Sequence, residues 1–151
     1  MQQAYLEKIA DEAYSFLRQH FPIISTNPIN YTVRLSLVKE HENISYRCGN
    51  HLGEKRITFY SQESQDKIFM DDDKIKNELG VIMKRRNIYF ISMIHELAEL
   101  FYATIFNETP GASHLLAVDI ELSALDILIK SSNAQDKKEF IKRKKARLRQ
   151  K

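Results

Sequence analysis

His95, Glu96 and Glu99 form the string H-E-L-A-E inside a long apolar stretch, residues 88–106. Burying an ionised carboxylate without a partner is costly, so such groups in an apolar helix either pair with one another or bind a metal. The string differs by one letter from H-E-x-x-H, in which two histidines one turn apart bind zinc and the glutamate acts as general base. Taken alone, the string is equally compatible with an ordinary histidine–glutamate pair on a helix surface.

On a helix of about 100° per residue, the polar side chains of this stretch share one arc. Glu99 falls about 40° and Glu96 about 100° from His95, and the small residues Ser92 and Ala103 lie between the two glutamates. This geometry lets His95 and Glu99 converge on one ion, with Glu96 beside it to polarise a bound water. The arc therefore predicts a metal site on one face of the helix.

A segment rich in helix breakers, residues 109–113, separates this helix from a second one. We expect the second helix to begin at Ser113 or His114 and to end near Lys130, so that the two helices form an antiparallel hairpin. Four polar residues of the second helix share one face and predict an ordinary solvent-exposed stripe: Asp119, Ser123, Asp126 and Lys130.

Glu121 lies near the opposite pole of the second helix among apolar residues, and His114 points the same way. The hairpin would bring His114 and Glu121 opposite His95 and Glu99. The four residues are then either metal ligands or members of a buried histidine–glutamate network that holds no metal.

The chain before this hairpin shows one helix pattern and three strand patterns. Residues 2–20 place apolar side chains at spacings of three and four, which predicts an amphipathic helix that stops near Pro22 and lies on a sheet. Residues 31–38 alternate between apolar and polar, as strands do. Two further strands are expected at 44–48 and 56–60, joined by a glycine-containing connection. These segments predict a small antiparallel sheet.

The remaining connections carry turn and cap signals. A turn is expected at residues 40–43. Residues 72–86 place apolar side chains on one helical face, which predicts a helix despite Gly80, a weak helix former. Residues 71–73 are three aspartates that lack the glycine and distal glutamate of a calcium loop, so we expect them to cap that helix. Asn87 is expected to cap the next helix, which carries the H-E-L-A-E string.

Length and composition favour a single α+β domain. The chain has 151 residues, of which 43% are hydrophobic and 28% charged, and we predict one domain over residues 1–133 with a basic C-terminal tail over 134–151. Cys48 is the only cysteine, which excludes an internal disulfide framework and favours a reducing compartment. Residues 1–21 contain acids and no continuous apolar core, so they predict neither a signal peptide nor a membrane span. We expect a cytoplasmic protein with no membrane partner.

The charge is distributed unevenly along the chain. Residues 136–151 carry nine lysines and arginines against two acids, a net charge of +7, so the overall +3 leaves −4 on residues 1–135. A basic tail can bind nucleic acid or an acidic protein. It can also be a frayed solubilising terminus, or a short amphipathic helix through Phe140, Ile141 and Leu148. The basic residues that we assign to nucleic-acid binding are Lys142, Arg143, Lys144, Lys145, Arg147 and Arg149.

A second, weaker constellation surrounds the predicted strands. His41, Cys48 and His51 include a C-x-x-H string with metal-ligand spacing, but a single cysteine among loop histidines makes an ordinary structural role the simpler interpretation. No glycine-rich phosphate loop is present, which argues against a nucleotide-driven enzyme.

Over most of residues 1–133, the order of helix, small sheet and helix hairpin resembles the minimal zincin-like metallopeptidases common in phage and mobile elements. Those proteins carry H-E-x-x-H on one helix and often E-x-x-A on the next, and a subgroup carries H-E-x-x-E followed by a histidine. The resemblance implies that His95, Glu99 and His114 are metal ligands and Glu96 the general base. By the same resemblance, Glu121 is a fourth ligand or a residue that orients one.

The resemblance further implies a metal-dependent hydrolase of peptidase type, with zinc as the divalent metal and a peptide or protein as substrate. The substrate would pair with an edge strand near the active helix, and residues 56–60 are the expected strand. Glu99 adds negative charge and is a harder ligand than histidine, so a metal other than zinc stays open. The alternative is a non-catalytic metal-binding or interaction module whose basic tail binds nucleic acid or an acidic partner.

Overall fold

The computed structural model describes residues 2–37, 46–61 and 73–150. The helices in this part of the chain are α1 (Gln2–His20), α2 (Pro22–Ser25), α3 (Arg85–Ile105), α4 (Pro110–Ser131) and α5 (Ala134–Gln150). The strands are β1 (Thr32–Leu37), β2 (Tyr46–His51), β3 (Arg56–Ser61), β4 (Lys74–Lys76) and β5 (Ile82–Lys84), with a 3-10 turn at Leu52–Glu54. The fold is mixed α+β with a small sheet, which confirms the predicted class at that level.

α1 lies on the sheet as predicted, and it packs against β1 and α3. The side chain of Gln3 extends the outer edge of β1: its Nε2 donates to the backbone oxygen of Val33 at 2.6 Å, and its Oε1 accepts from the backbone nitrogen of Leu35 at 2.8 Å. The helix ends at His20, before Pro22. Its buried apolar residues recur at spacings of three and four: Leu6, Ile9, Ala10, Ala13 and Leu17.

β3 is the central strand of a three-stranded sheet with the order β1-β3-β2. β2 and β3 are antiparallel as predicted, but β1 and β3 are parallel, so an all-antiparallel sheet was the wrong expectation. Ile57, Thr58 and Phe59 are all buried, and a strand covered on both faces favours a central position. The turn between β2 and β3 is short, so β2 pairs antiparallel with one edge of β3. The other edge of β3 is then available to β1. The predicted turn at 40–43 lies outside the described residues.

A β-hairpin occupies residues 74–84, within the segment 72–86 where the sequence predicts a helix, so that prediction is wrong. Ile75 of β4 and Met83 of β5 are cross-strand partners, and both are buried. In the turn between them, Oδ1 of Asn77 accepts hydrogen bonds from two backbone N–H groups at 2.9 and 3.0 Å, and Gly80 has a φ of +77°. These two features favour a turn over a helix, because the Asn77 side chain replaces helical hydrogen bonds and the turn requires Gly80 in the left-handed region.

Neither predicted cap is found in the described residues. α3 begins two residues before Asn87, so this side chain lies inside the helix, where it donates to Asp136 and Glu139 of α5 at 3.1 and 2.9 Å. Asp73 precedes a strand and caps no helix, while residues 71–72 lie outside the described part of the chain. The asparagine therefore joins two helices instead of starting one.

α4 begins at Pro110, three residues earlier than the first predicted start. Oγ1 of Thr109 accepts from the backbone nitrogen of Ala112 at 3.2 Å, and proline suits the first helical position because no partner is needed there for an N–H group. The chain reverses at residues 106–109, where Asn107 has a φ of +53°. α3 and α4 pack together as the predicted hairpin. The predicted polar stripe of α4 is exposed: Asp119, Ser123, Asp126 and Lys130.

α5 is an ordered helix that packs against α4 and β5, so residues 134–150 are not a frayed terminus. Near its start, Oε1 of Glu139 accepts from the backbone nitrogen of Lys84 at 2.9 Å, and the ammonium of Lys84 lies 3.2 Å from Asp136. Phe140 and Ala146 of this helix are buried. The division of the chain at residue 133 stays a prediction.

Among the described residues, α3 is long and apolar enough to cross a membrane by length and composition alone. This is weak support for a membrane span, because two thirds of the relevant window is buried inside the protein, and the core helix of a soluble protein passes the same test. The expected cytoplasmic location stays a prediction.

Candidate metal centre

A cleft of about 430 Å³ lies between α3, which carries the H-E-L-A-E string, and segments that are distant from it in the sequence. α3 lines it with Ser92, His95, Glu96 and Glu99. Strand β2, the turn of the β4–β5 hairpin, the first turns of α4 and the second half of α5 complete its walls. The polar arc predicted for the motif helix therefore faces a cavity.

His95, Glu99 and His114 form a group that could hold a metal ion. Nε2 of His95 lies 3.5 Å from Oε2 of Glu99 and 3.3 Å from Nδ1 of His114, and that Nδ1 lies 3.5 Å from the same carboxylate oxygen. Metal–ligand bonds of about 2.0–2.2 Å in tetrahedral geometry separate neighbouring ligand atoms by about 3.3–3.6 Å. The three donor atoms are thus already spaced like three corners of a tetrahedron around an ion.

The group is closed on the α3 side and open on the α4 side. The side chain of His95 is 6% exposed, that of Glu99 16% and that of His114 50%. An ion held by these three residues would have one direction open to water or substrate.

Glu121 binds the other ring nitrogen of His95. Nδ1–H of His95 donates to Oε1 of Glu121 at 3.0 Å, Nε of Arg143 donates to Oε2 at 3.0 Å, and Arg147 donates through Nη2 at 2.9 Å and Nε at 3.1 Å. Burial alone would raise the pKa of Glu121, but the charge of Arg143, the hydrogen bond and charge of His95 and the charge of Arg147 hold it well below its usual range. Glu121 is therefore an ionised anchor, and it turns Nε2 of His95 towards Glu99 and His114.

The same contacts determine the protonation of His95. Burial lowers its pKa, but the hydrogen bonds to Glu121 and Glu99 outweigh that effect and raise the pKa to about 9. In the absence of a metal the ring is an imidazolium at neutral pH. The residues then form the histidine–glutamate network that the sequence leaves open as the alternative.

Glu96 lies in the same cleft, on the side of β2. Nδ2 of Asn50 donates to Oε2 of Glu96 at 2.6 Å and to its backbone oxygen at 2.9 Å, and the Cys48 thiol donates to Oε1 at 3.4 Å. Burial raises the pKa of Glu96 to about 7, against the opposing charge of His95. A carboxylate with a pKa near neutrality can accept a proton and return it.

The six basic residues predicted to bind nucleic acid lie on different sides of α5. Arg143 and Arg147 are buried against Glu121, and the ammonium of Lys144 pairs with Asp126 of α4 at 2.5 Å. The remaining three are exposed to solvent: Lys142, Lys145 and Arg149.

Sequence reasoning did not find the residues that support Glu121 and Glu96. A signal for the arginines exists, because Arg143 and Arg147 interrupt a lysine run at a spacing of four on the same side of α5 as Phe140. Asn50 carries no comparable local signal, because its contact with Glu96 depends on how β2 lies beside α3.

Two other expectations have clear outcomes. Residues 56–60 form the central strand β3, paired on both sides, so the edge-strand expectation is wrong. β2 is an outer strand of the sheet and lines the cleft.

The predicted second constellation of His41, Cys48 and His51 does not come together in the described residues. His51 forms a hydrogen bond with the Tyr60 hydroxyl at 3.3 Å, while Cys48 turns towards Glu96, and His41 lies outside the described part of the chain.

Comparison of the chain with models of known protein families, with curated proteins and with solved structures finds no match. The comparisons therefore neither support nor oppose membership of the zincin-like metallopeptidases. That family stays a prediction, and the residues of the cleft are what carries it.

Proposed function

We propose that this protein is a metal-dependent hydrolase of zincin type, with peptide or protein substrates. His95, Glu99 and His114 would hold the ion, and Glu96 would be the general base. The proposal rests on one observation: three donor atoms lie 3.3–3.5 Å apart in an open cleft that also contains a carboxylate with a pKa near neutrality. Two imidazoles and one carboxylate are the donor set of many catalytic zinc sites, so zinc is the expected metal.

This donor set accounts for the missing second histidine of the H-E-x-x-H string. Glu99 occupies its place one turn after His95, and His114 supplies the second imidazole from α4. The total of two nitrogen ligands and one oxygen ligand is thereby kept.

A divalent ion held by these residues would supply Lewis-acid activation of a water molecule and of a substrate carbonyl. Glu96 would take the proton of the water at a carboxylate oxygen and return it to the leaving amine. Asn50 holds Oε2 of Glu96 in place. Glu121 fixes the ring of His95, as carboxylates behind metal-binding histidines commonly do.

Metal content tests the first half of the proposal. Protein purified without chelator and reloaded with zinc should retain one equivalent, and His95→Ala and His114→Ala should lose it. His20→Ala is the matched control, because this exposed histidine at the end of α1 lies outside the cleft. If the wild type retains no zinc, manganese, nickel or iron in stoichiometric amount, the proposal fails.

Hydrolysis tests the second half. A library of synthetic peptides is incubated with the zinc-loaded protein, and new termini are identified by mass spectrometry. Glu96→Gln should keep its zinc but lose turnover by about 10²–10⁴-fold, the usual contribution of a general base. Glu108→Gln, the same change at an exposed position, is the control. Cleavage that survives Glu96→Gln unchanged would assign the activity to another group.

A second candidate is a non-catalytic interaction module without a metal. The hydrogen bonds of His95 to Glu121 and its contact with Glu99 satisfy an imidazolium in the absence of an ion, which favours this alternative. In that case no metal binds, and His95→Ala lowers only the stability of the fold. The zinc titration separates the two candidates.

A further inference from the structure

The outward side of α5 is uniformly basic. Lys138, Lys142, Lys145 and Arg149 follow one another at spacings of four, three and four, so they lie within about 60° of one another around the helix. All four are exposed. We call this set the basic face of α5.

The basic face contains no acid, because both acids of α5 point elsewhere. Asp136 and Glu139 accept hydrogen bonds from Asn87, and they also contact the ammonium and the backbone N–H of Lys84, respectively. A solvated helix surface is stabilised when opposite charges alternate at a spacing of four. The basic face instead contains two like-charge pairs at that spacing, and such pairs destabilise a helix. Its composition is therefore unfavourable for stability and favourable for binding a polyanion.

We propose that the basic face of α5 binds the phosphate backbone of duplex DNA without reading its sequence. From Lys138 to Arg149 the face spans about 16 Å, a length over which B-DNA presents roughly ten phosphates. Lysine side chains act as mobile point charges, which suits contacts to phosphate better than contacts to base edges. The rest of the chain carries a net negative charge and repels DNA, so α5 is the side that docks.

An anionic membrane offers the same charge but fits the surface less well. A helix that binds in a membrane interface places an apolar face in the lipid beside its basic residues. The apolar side chains Phe140 and Ala146 of α5 are buried against the protein, and Leu148, 48% exposed, is the exposed large hydrophobic residue of the helix. The basic face thus presents charge with little apolar surface to insert.

Fluorescence anisotropy with a labelled 20-base-pair DNA tests the proposal on the full chain. Four phosphate contacts predict a slope of about −3.6 for log K against log salt, which is a loss of about 150-fold between 50 and 200 mM salt. The affinity should be the same for duplexes of unrelated sequence. A slope shallower than about −1 would rule out the proposed contacts.

Replacing all four residues of the basic face by glutamine should abolish measurable binding at 50 mM salt. The matched control replaces four exposed lysines elsewhere, which changes the net charge by the same amount: Lys8, Lys55, Lys74 and Lys76. Circular dichroism and a thermal melt confirm that both variants are folded. The control should bind DNA within a few-fold of the wild type, and an equal loss in both variants would show that net charge alone attracts DNA.

A sedimentation experiment with vesicles of neutral lipid and one third phosphatidylserine tests the membrane alternative. We expect the chain to bind DNA and to sediment weakly with these vesicles. Strong sedimentation that depends on the basic face, without binding to DNA, would overturn the proposal.

Discussion

Replacing Glu121 by glutamine tests whether the carboxylate in the protein interior is a main support of the fold. Glu121 is fully buried, and it accepts hydrogen bonds from His95, Arg143 and Arg147 at 2.9–3.1 Å. Glutamine has nearly the same shape but no charge, and its amide group would face guanidinium donors. The two arginines, which are 4% and 9% exposed, would then lose the charge of this carboxylate.

Removing one partner from a buried charge cluster costs about 3–5 kcal/mol, so we expect Glu121→Gln to lower the free energy of unfolding by that amount. A typical domain has about 5–15 kcal/mol in total. Urea unfolding at pH 7, followed by circular dichroism, measures the loss as a lower midpoint with an unchanged slope. A loss below about 1 kcal/mol would refute the reasoning, because it would show that solvent already compensates the arginines.

The matched control is Asp126→Asn, which also breaks an ion pair between α4 and α5. Asp126 and Lys144 are 52% and 35% exposed, so their pair should contribute less than about 1 kcal/mol. The pH dependence gives an independent check. The pKa of Glu121 is lowered by folding, so its contribution is complete above its ordinary pKa of 4.5 and is lost as the pH falls below that value. The difference between wild type and Glu121→Gln should therefore narrow in acid.

Three further predictions concern the metal, a turn and a helix cap. Zinc affinity should rise by up to about tenfold per pH unit from neutrality towards pH 9, because an ion at Nε2 displaces the proton of His95, whose pKa is about 9. Competition with a chromophoric chelator measures this affinity, and an affinity independent of pH would contradict the prediction. Gly80→Ala should lower the unfolding free energy by about 1–2 kcal/mol, because alanine is strained at a φ of +77°. The new Cβ itself has room, since its nearest neighbouring atom would be 4.0 Å away. A thermal melt checks this against Gly53→Ala, which meets nothing within 4 Å and should change little. Thr109→Ala should cost about 1 kcal/mol in urea unfolding, and Thr109→Ser should recover most of it, because the cap requires a hydroxyl oxygen.

The parts of the fold that the sequence predicts are those with a local signal. The spacing in α1 and the alternation in β1 are visible within one segment. Residues 72–86 mislead, because the apolar positions Ile75 and Met83 suit both one helix face and two facing strands. The outcome depends on Asn77 and Gly80, whose turn chemistry replaces helical hydrogen bonds. The parallel pairing of β1 depends on contacts between distant segments and has no local signal.

In the candidate site, too, the sequence predicts what depends on a local signal and misses what depends on distant segments. Helix geometry alone places His95 and Glu99 on one arc and turns His114 and Glu121 inward. The structure brings these four side chains together and buries Glu121, but His114, predicted on the buried face, is 50% exposed at the cleft. The partners that determine their protonation come from elsewhere in the chain. Asn50 is 46 residues from Glu96, and no rule of helix periodicity relates two such positions.

The arginines of α5 also impose an order of events during synthesis. Arg147 is 26 residues later in the chain than Glu121, so a ribosome adding about 5–20 residues per second makes it about one to five seconds afterwards. Until Arg143 is made, 22 residues after Glu121, the α3–α4 hairpin contains a carboxylate that has neither guanidinium partner, and burying it in that state is unfavourable. We therefore expect the burial of Glu121 to wait for the docking of α5. A nascent chain interrupted before Arg147 has the three candidate ligands, but it lacks a cation that holds the anchoring anion of His95.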